Sequence, residues 1–466
     1  MGTSLYVGVY GKMSNTLMMT QGRPMKLLIT FALPLMLGNI FQQLYTVVDT
    51  AIVGRGVGID ALAALGTVDW LSWMAVGIAT GLTQGFSVKI AQKYGEGDAR
   101  GLQFFMGQSI FLSGVIAIVG AILLQIILPL LLYILRIPIE IRGLAEIYIR
   151  ILFAGFPFVI FYNYCSSVLR AVGDGKTPLK AMVIASIVNI VLDILAVFIL
   201  GLGIAGAAAA TVTAQGISGL ICAMRIWKTP ELRFVREDLK AEKRSCSLLL
   251  RLGAPIAAKN ILVAAGGIVI QTIVNGFGMS FIAGFTASNK LYGLLEIAAL
   301  SYSFAVATYV GQNYGAHKTD RIRNGMKEAT ILSLVTATVI GAIMIIFGRP
   351  ITMLFISSED PLLMAAAGET AYLYLVYMSA SLPILYTLYV YQAAMQGMGK
   401  TLVPMTSGFI QLGLRVGIAL YVGVIGFENG VFIAEISAWY AAGIFMLIQY
   451  FRTVRKEMPM KKIGEV

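Results

Sequence analysis

The sequence predicts an all-α membrane protein with twelve transmembrane helices in two six-helix lobes, related by a pseudo-two-fold axis along the membrane normal. Three observations predict this fold class. Of the 466 residues, 58% are hydrophobic and only 12% are charged, against roughly 25% charged in an ordinary soluble domain. Twelve apolar runs are long enough to cross a bilayer, and the two halves of the chain repeat the same landmarks. The composition excludes a cytosolic enzyme, a secreted domain and a disordered chain.

The twelve apolar runs lie between charged or Gly/Pro-containing breaks. A spanning helix needs about 20 apolar residues, whereas a membrane β-strand needs about 10 with alternating polarity. The runs are too long and too uniformly apolar for strands, so we interpret each one as a helix. Their approximate bounds are 27–53, 61–88, 104–131, 143–170, 179–200, 203–226, 248–275, 281–310, 329–348, 365–395, 402–424 and 428–451.

Basic residues are distributed unevenly between the loops of the two sides. Loops on the side of the N-terminus contain 27 Lys and Arg residues, and the opposite loops contain four. Because basic loops remain in the cytoplasm, we expect a multi-pass protein of the plasma membrane with both termini inside. Residues 1–26 then form a cytoplasmic segment, without the apolar core and cleavage site of a signal peptide. Residues 452–466 form a cytoplasmic tail.

The longest polar stretch, residues 228–247, is predicted to be a cytoplasmic linker between an N-lobe at 27–227 and a C-lobe at 248–451. Four landmarks recur in the same order on both sides of it. They are Pro34-x4-Asn39 and Pro255-x4-Asn260, Tyr94-Gly95 and Tyr314-Gly315, Tyr148-x8-Pro157 and Tyr374-x8-Pro383, and Gly175-Lys176-Thr177 and Gly399-Lys400-Thr401. Paired six-span halves are typical of transporters with alternating access. A duplicated bundle without a cavity is the alternative.

Apart from Glu146, Arg150 and Glu369 near span ends, eight ionisable residues are predicted inside the spans, where a charge costs about 2.5–3.5 kcal/mol and usually has a function. They are Asp49, Asp69, Asp193, Lys259, Lys290, Glu296, Arg415 and Glu435. Among them, Asp193 shares a helix face with Asn189, four residues earlier, and Thr211 follows in the next span. Asp69 is expected only at the mouth of a cavity.

Carboxylate, amide and hydroxyl oxygens suit a hard monovalent cation, so Asp49, Asn189, Asp193 and Thr211 form a candidate Na⁺ site. The same carboxylates can instead carry H⁺, because protonation removes the cost of burying their charge. Polar contacts that merely hold helices together are the alternative, above all for Asn189 and Thr211.

Several other function classes lack the residues that they need. The chain has one His and three Cys, without the paired spacing of haem, zinc or Cys–His sites. We therefore expect no cofactor, no enzyme activity and no nucleic-acid binding. A major-facilitator transporter would carry Gly-x3-Asp-Arg/Lys after its second span, and Lys93-Tyr-Gly-Glu-Gly-Asp-Ala-Arg100 does not match.

The motifs resemble those of multidrug and toxic compound extrusion (MATE) transporters over essentially the whole chain. The matching stretches are Leu33-Pro-Leu-Met-Leu-Gly-Asn-Ile-Phe-Gln-Gln-Leu-Tyr45 through Asp49, Leu169-Arg-Ala-Val-Gly-Asp-Gly-Lys-Thr-Pro178, Asn189-x3-Asp193 and Gly311-Gln-Asn-Tyr-Gly-Ala316. The resemblance implies a bacterial antiporter, driven by Na⁺ or H⁺, that exports lipophilic and often cationic small molecules. It also implies that Asp49, Asn189, Asp193 and Thr211 bind the cation, with a contribution from Tyr148. We expect a monomer surrounded by membrane lipids.

The C-lobe departs from part of this family. NorM-type members carry a carboxylate in span seven, whereas the segment after Pro255 contains Lys259 and no acid. The charge pattern is therefore closer to DinF-type members, which couple in the N-lobe. At an offset of 224 residues, Glu435 occupies the position equivalent to Thr211. We expect Glu435 to be protonated or to pair within a C-lobe charge network that also contains Lys259, Lys290, Arg415 and Glu296; a solvated rim position is the alternative.

The alternative function is a flippase-like exporter of a lipid-linked or amphipathic endogenous substrate. A pyrophosphate headgroup would favour a cavity rich in Lys and Arg, and Lys259, Lys290 and Arg415 supply such residues. The acids of the N-lobe argue against it. Unpaired cations would repel a cationic drug, so we expect the C-lobe cations to pair with acids.

Overall fold

The computed structural model describes residues 16–135, 137–354, 356 and 360–458, and this part of the chain is helical, without a β-strand. Residues 1–15 of the expected N-terminal segment and residues 459–466 of the expected tail lie outside it. The α-helices are α1 (Pro24–Gly56), α2 (Ile59–Glu96), α3 (Ala99–Ile134), α4 (Ile139–Ala154), α5 (Phe156–Ala171), α6 (Lys176–Ile194), α7 (Gly203–Trp227), α8 (Lys243–Val274), α9 (Met279–Gly315), α10 (Thr319–Met353), α11 (Pro361–Gly397), α12 (Leu402–Ile425) and α13 (Gly430–Glu457).

These helices confirm the predicted all-α membrane fold. Eleven are long and apolar enough to cross a membrane, and α4 with α5 completes a twelfth span. The helices extend beyond the apolar runs; α2, for example, continues to Glu96, where Lys93 forms an ion pair of 2.9 Å with it. Polar residues at the membrane surface keep their backbone hydrogen bonds within the helix, so hydropathy underestimates its length.

The fourth span is bent by 46° between α4 and α5. Pro157 lies in the first turn of α5, where its missing N–H costs little and its ring prevents a continuous helix. At the break, a Cβ on Gly155 would overlap Val212 of α7, so the glycine permits close packing there. The proline was visible in the sequence, but Pro34, Pro255 and Pro383 lie within continuous helices, so a proline alone does not predict a break.

Helix α6 ends one residue after Asp193 and continues as a π-helix, Leu195–Ile199. Gly56 at the end of α1 lies against this π-helix, since a Cβ there would overlap Val197. Single π-helical turns are uncommon and occur often at functional sites. Hydropathy predicts only a continuous apolar span over these residues, so this feature was not predicted.

The chain divides into two compact units. Unit 1 contains the described residues up to Gln21, Ile29–Ala257 and Gly311–His317; unit 2 contains Gly22–Leu28, Ala258–Val310 and the described residues from Lys318 onwards. The predicted lobe boundaries remain predictions, because each unit also takes a short segment from the other half of the chain.

The core of unit 1 combines small and large side chains. Ala64, Ala207 and Ala208 are fully buried, together with Val53 and Ile149. Alanines at such positions let helix backbones approach closely, which is how helices gain packing energy in a membrane. The core thus holds α1, α2, α4 and α7 together.

The core of unit 2 is aromatic. Tyr374 of α11 stacks on Phe432 of α13 with ring centroids 4.5 Å apart, and on Phe285 of α9 at 4.9 Å. Offset stacking adds about 0.5–1.5 kcal/mol per pair to the burial of each ring. Three helices are therefore joined at one buried point of this unit.

The predicted linker at 228–247 is shorter than expected, because α8 begins at Lys243. The segment contains two short 3₁₀ turns, Pro230–Leu232 and Arg236–Leu239. Arg100 of α3 donates two hydrogen bonds of 2.7 Å to the buried Asp238, one to each carboxylate oxygen. This guanidinium holds the pKa of Asp238 below its usual range. The ion pair fastens the linker to unit 1.

Candidate functional site

Asp49 lies in the membrane-spanning helix α1 and is 93% buried, with only 7% of its surface exposed. The surrounding sequence is apolar enough to cross a bilayer, so the helix carries this carboxyl group to a depth where water is scarce. Its buried Oδ1 has no hydrogen-bond partner among the described residues.

Asn189 and Asp193 lie one turn apart on α6, as their spacing predicts. They are 1% and 0% exposed. Both oxygens of Asp193, and both the oxygen and the nitrogen of the Asn189 amide, have no hydrogen-bond partner among the described residues. Because each such group costs about 1–3 kcal/mol when buried, this part of the fold is arranged for something other than stability.

The carboxyl groups of Asp49 and Asp193 lie near enough to each other for a direct electrostatic interaction. Two ionised carboxylates can only accept hydrogen bonds, so nothing in the pair itself can join them. A proton on one carboxyl group, or a cation between the two, removes the repulsion and supplies the missing partner. The chemistry of the donor set therefore fits a monovalent cation or H⁺.

A small pocket lies beside Asn189 in unit 1. Its wall includes Asn189 from α6 and the half-buried Thr211 from α7. The other lining residues are Gln42, Tyr45, Tyr162, Met182, Ala185, Ser186, Ala214, Gln215 and Ser218. Of the four residues predicted to bind the cation, Asn189 and Thr211 line this pocket, and Asp49 and Asp193 are not among its lining residues.

Gln215 is a residue that the sequence analysis missed. It lies one turn after Thr211 and lines the same cavity, and its buried Oε1 has no hydrogen-bond partner among the described residues. The four-residue spacing from Thr211 was the available signal. Its amide oxygen adds a further acceptor to the cavity wall.

The remaining predicted residues of unit 1 differ in burial. Tyr148 of α4 is 9% exposed, and its hydroxyl group is near enough to Asp49 and Asp193 for an electrostatic interaction. Asp69 of α2 is exposed, yet it too lies near enough to Tyr148 for an electrostatic interaction. Among the described residues, no cluster of three His, Cys, Asp or Glu side chains exists that would hold a divalent metal.

In unit 2, Glu435 of α13 pairs with Arg415 of α12 at 2.5 Å, and both side chains are at least 90% buried. Arg415 also donates to the carbonyl oxygen of Val263 on α8, at 3.3 Å. Of the three partners that the sequence suggested for Glu435, the structure brings Arg415 to it. Because Glu435 is buried and forms this ion pair, the structure does not place it at a solvated rim.

The other members of the predicted C-lobe charge network are not joined to this pair. The carboxylate of Glu296 accepts hydrogen bonds from the hydroxyl groups of Tyr292 and Tyr389. Lys259 lies 3.4 Å from the amide oxygen of Gln392, and Lys290 is exposed. Neither lysine forms an ion pair within the described part of the chain. The expectation that every C-lobe cation pairs with an acid is therefore wrong for both.

Comparison with known proteins places these features in a family. The MatE family model matches residues 34–195 and 255–421. The probable multidrug resistance protein YoeA of Bacillus subtilis is 28% identical over 456 residues, which cover 93% of this chain and 94% of YoeA. The probable multidrug resistance protein YpnP of the same bacterium is 29% identical over 341 residues, 73% of this chain and 76% of YpnP. The structure of a MOP superfamily transporter from Pyrococcus furiosus superposes with a TM-score of 0.87 at 23% identity, over 94% of this chain and 98% of that chain.

Proposed function

Because this chain belongs to the MatE family of membrane transporters, we propose that it is a cation-coupled antiporter that exports lipophilic and cationic compounds across the plasma membrane by alternating access. The family makes it a multi-pass membrane transporter rather than an enzyme. The names of YoeA and YpnP support drugs as substrates. The proposed coupling is supported by the buried carboxyl groups of Asp49 and Asp193. They lie near each other, and no donor makes a hydrogen bond to Asp49 Oδ1 or to either oxygen of Asp193 among the described residues.

In this proposal, the cation binds among side chains of unit 1. Asp49 and Asp193 supply the charge, and Asn189 and Thr211 supply neutral oxygens. Either Na⁺ or H⁺ balances part of the two negative charges, and Tyr148 supports the site from α4. No cofactor is needed, since the chemistry is limited to binding and release.

Export against a gradient requires that cation and drug favour different conformations. A ligand shifts a conformational equilibrium only by its difference in affinity between the two states. A cation bound between Asp49 and Asp193 removes their repulsion, so it favours the conformation in which the two carboxyl groups are close. We propose that the exported compound favours the other conformation, so that the two ligands exclude each other.

The proposal is tested by transport of a fluorescent cationic dye in proteoliposomes under imposed Na⁺ or H⁺ gradients. We expect dye movement in the wild type to follow at least one gradient. In Asp49→Asn, which preserves the shape of the side chain and removes its charge, gradient-driven transport falls by at least about tenfold, equivalent to 1.4 kcal/mol.

Asp60→Asn is the matched control, because it makes the same substitution at an exposed position of unit 1, in the first turn of α2. We expect it to retain gradient-driven transport. Wild-type transport that ignores both gradients would contradict the antiporter, and full coupling in Asp49→Asn would contradict the site.

A further inference from the structure

The segment that precedes α1, residues 17–21, is held within unit 1 by two adjacent side chains of α9. We call this segment the strap. Gln312 Oε1 accepts a hydrogen bond of 2.9 Å from the backbone N–H of Met19. The Asn313 amide donates one of 2.9 Å to the backbone carbonyl oxygen of the same residue. Both backbone polar groups of Met19 are therefore bound by neighbouring amides.

The strap also contacts the turn between α5 and α6. The N–H of Leu17 donates to the carbonyl oxygen of Gly173 at 3.1 Å, and a Cβ on Gly173 would overlap the carbonyl oxygen of Leu17. Gln312 in turn donates to the carbonyl oxygen of Ala171 at 2.8 Å, so one amide joins the strap to the end of α5. The strap thus lies between the end of α5 and the end of α9.

These contacts are closed to water. Met19, Gln312 and Asn313 have no exposed surface, and Thr20 is 5% exposed. Buried amide and backbone groups need protein partners, because no water is present to replace them. Release of the strap removes one of these partners from each amide and lets water take its place. The strap therefore covers the two amides of α9.

The strap and the end of α9 come from opposite halves of the chain and meet on one side of the membrane. The strap precedes the first span and Gln312 lies at the end of the eighth, so both are on the side that the loop charges predict to be cytoplasmic. In alternating access, the two repeats rock against each other around the binding site. Contacts that join the two halves on the cytoplasmic side must then form and break in each cycle.

The chemistry of the strap suits a contact that is broken repeatedly. Its hydrogen bonds to Gln312, Asn313 and Gly173 can be exchanged for hydrogen bonds to water, so their net contribution to the closed form is modest. These three residues belong to the stretches at 169–178 and 311–316, which resemble the motifs of the family. The strap brings both stretches together at one place.

We propose that the strap is a cytoplasmic latch, which is closed in this structure and is released when the transporter opens to the cytoplasm. Gln312 and Asn313 are positioning residues, because they hold the strap and do not touch the exported compound. The latch rests on the proposed function, since it needs a transport cycle. The cation favours the conformation in which Asp49 and Asp193 are close, as they are in this structure, so the exported compound favours release of the strap.

Release of the strap is measured by the reactivity of a buried cysteine. Met19→Cys is made in a Cys246→Ser background, and its modification by N-ethylmaleimide is followed in the purified full chain in detergent. Because Met19 is fully buried, the cysteine reacts only while the strap is released. The rate follows the released population when reclosing is fast. Ala181→Cys is the matched control, because Ala181 of α6 is equally buried in the same unit.

We expect a saturating concentration of the cationic dye ethidium to raise the modification rate of Met19→Cys by at least about threefold, because the dye shifts the population toward the released form. The rate of Ala181→Cys stays unchanged. Transport of ethidium by the same protein in proteoliposomes is measured in parallel under imposed Na⁺ or H⁺ gradients.

Gln312→Met keeps the size of the side chain and removes its hydrogen bonds. We expect it to raise the modification rate of Met19→Cys by about tenfold, which corresponds to 1.4 kcal/mol, and to reduce the further effect of ethidium. Gln103→Met makes the same substitution at a partly exposed position of α3 and changes neither rate. If Gln312→Met does not fold, Asn313→Leu removes the other amide and is expected to have the same effect.

A Met19→Cys rate that equals that of Ala181→Cys and ignores ethidium, in protein that transports ethidium, would overturn the latch and leave the proposed function intact. A lower melting temperature of Gln312→Met with an unchanged Met19→Cys rate would also overturn it, because the contact would then serve stability alone. Wild-type protein that moves no ethidium under either gradient would count against the proposed function, and the latch would fall with it.

Discussion

Asp193 and Asn189 are buried side chains whose polar groups lower the free energy of unfolding. Neither has a hydrogen-bond partner among the described residues, and each unsatisfied group costs about 1–3 kcal/mol. A ligand that supplies the missing partners binds only the folded state and recovers part of this cost. In the proposed function, stability and cation binding are therefore coupled at these two residues, and a thermal melt reports the binding.

We expect the wild type to melt at a higher temperature when Na⁺ replaces choline at constant ionic strength, if Na⁺ is the coupling ion; a ligand at 100 times its Kd adds about 2.7 kcal/mol. Asp193→Asn removes the charge that binds the ion, so its melting temperature no longer responds. Without Na⁺, the variant melts at the same temperature as the wild type or above it. A shift that persists in Asp193→Asn would show that Na⁺ binds elsewhere.

The sequence predicted the residues of this site better than their contacts. Asp49 and Asp193 were recognisable because a carboxylate within a long apolar run is rare and costly. Gln215 was missed, because an uncharged amide in a span carries no comparable penalty. Which cation of unit 2 pairs with Glu435 depends on how α12 packs against α13, and no local pattern distinguishes Arg415 from Lys259.

At the scale of the helices, the repeated Tyr-Gly motif lies where α2 and α9 pack closely together. Gly95 near the end of α2 and Gly315 at the end of α9 both lie within unit 1. A Cβ on Gly95 would overlap the carbonyl oxygen of Gln312, and a Cβ on Gly315 would overlap that of Gln92. The contact is reciprocal, so each helix presents its glycine to the backbone of the other. The sequence showed the repeat but not that its two copies meet.

We expect Gly95→Ala to lower the stability of the protein by about 1–3 kcal/mol, because backbone rather than a movable side chain blocks the new methyl group. Gly114→Ala is the control: Gly114 lies in the middle of α3 with no atom near its missing Cβ, and alanine favours a helix by about 1 kcal/mol over glycine. Thermal melts of both variants in the same detergent compare the two effects. Equal melting temperatures would show that the crossing is looser than described.

One helix break is marked by a proline, since Pro157 lies at the 46° bend between α4 and α5. Prolines alone do not locate breaks, because Pro34, Pro255 and Pro383 lie within continuous helices. The π-helix Leu195–Ile199 has no such marker, since its sequence is uniformly apolar. Gly56, which is far away in the chain, packs against it. The apolar runs therefore located the spans, and did not show their irregularities.

At the scale of the whole molecule, the Lys and Arg residues of the loops predict the orientation in the membrane. The 27 Lys and Arg residues on one side and four on the other predict a cytoplasmic linker. The turn between α12 and α13 is then on the opposite side. Glu428 in that turn and Lys228 after α7 are both exposed, so cysteines introduced at these two positions report the orientation.

We expect a membrane-impermeant maleimide to label Glu428→Cys in intact cells, and to label Lys228→Cys only after the membrane is permeabilised. Cys246→Ser provides the background, because Cys165 and Cys222 are buried and Cys246 is partly exposed near the start of α8. Labelling of both positions after permeabilisation is the control for reactivity. The reverse pattern in intact cells would place the linker outside and contradict the orientation, since two exposed sites separated by an odd number of spans must lie on opposite sides.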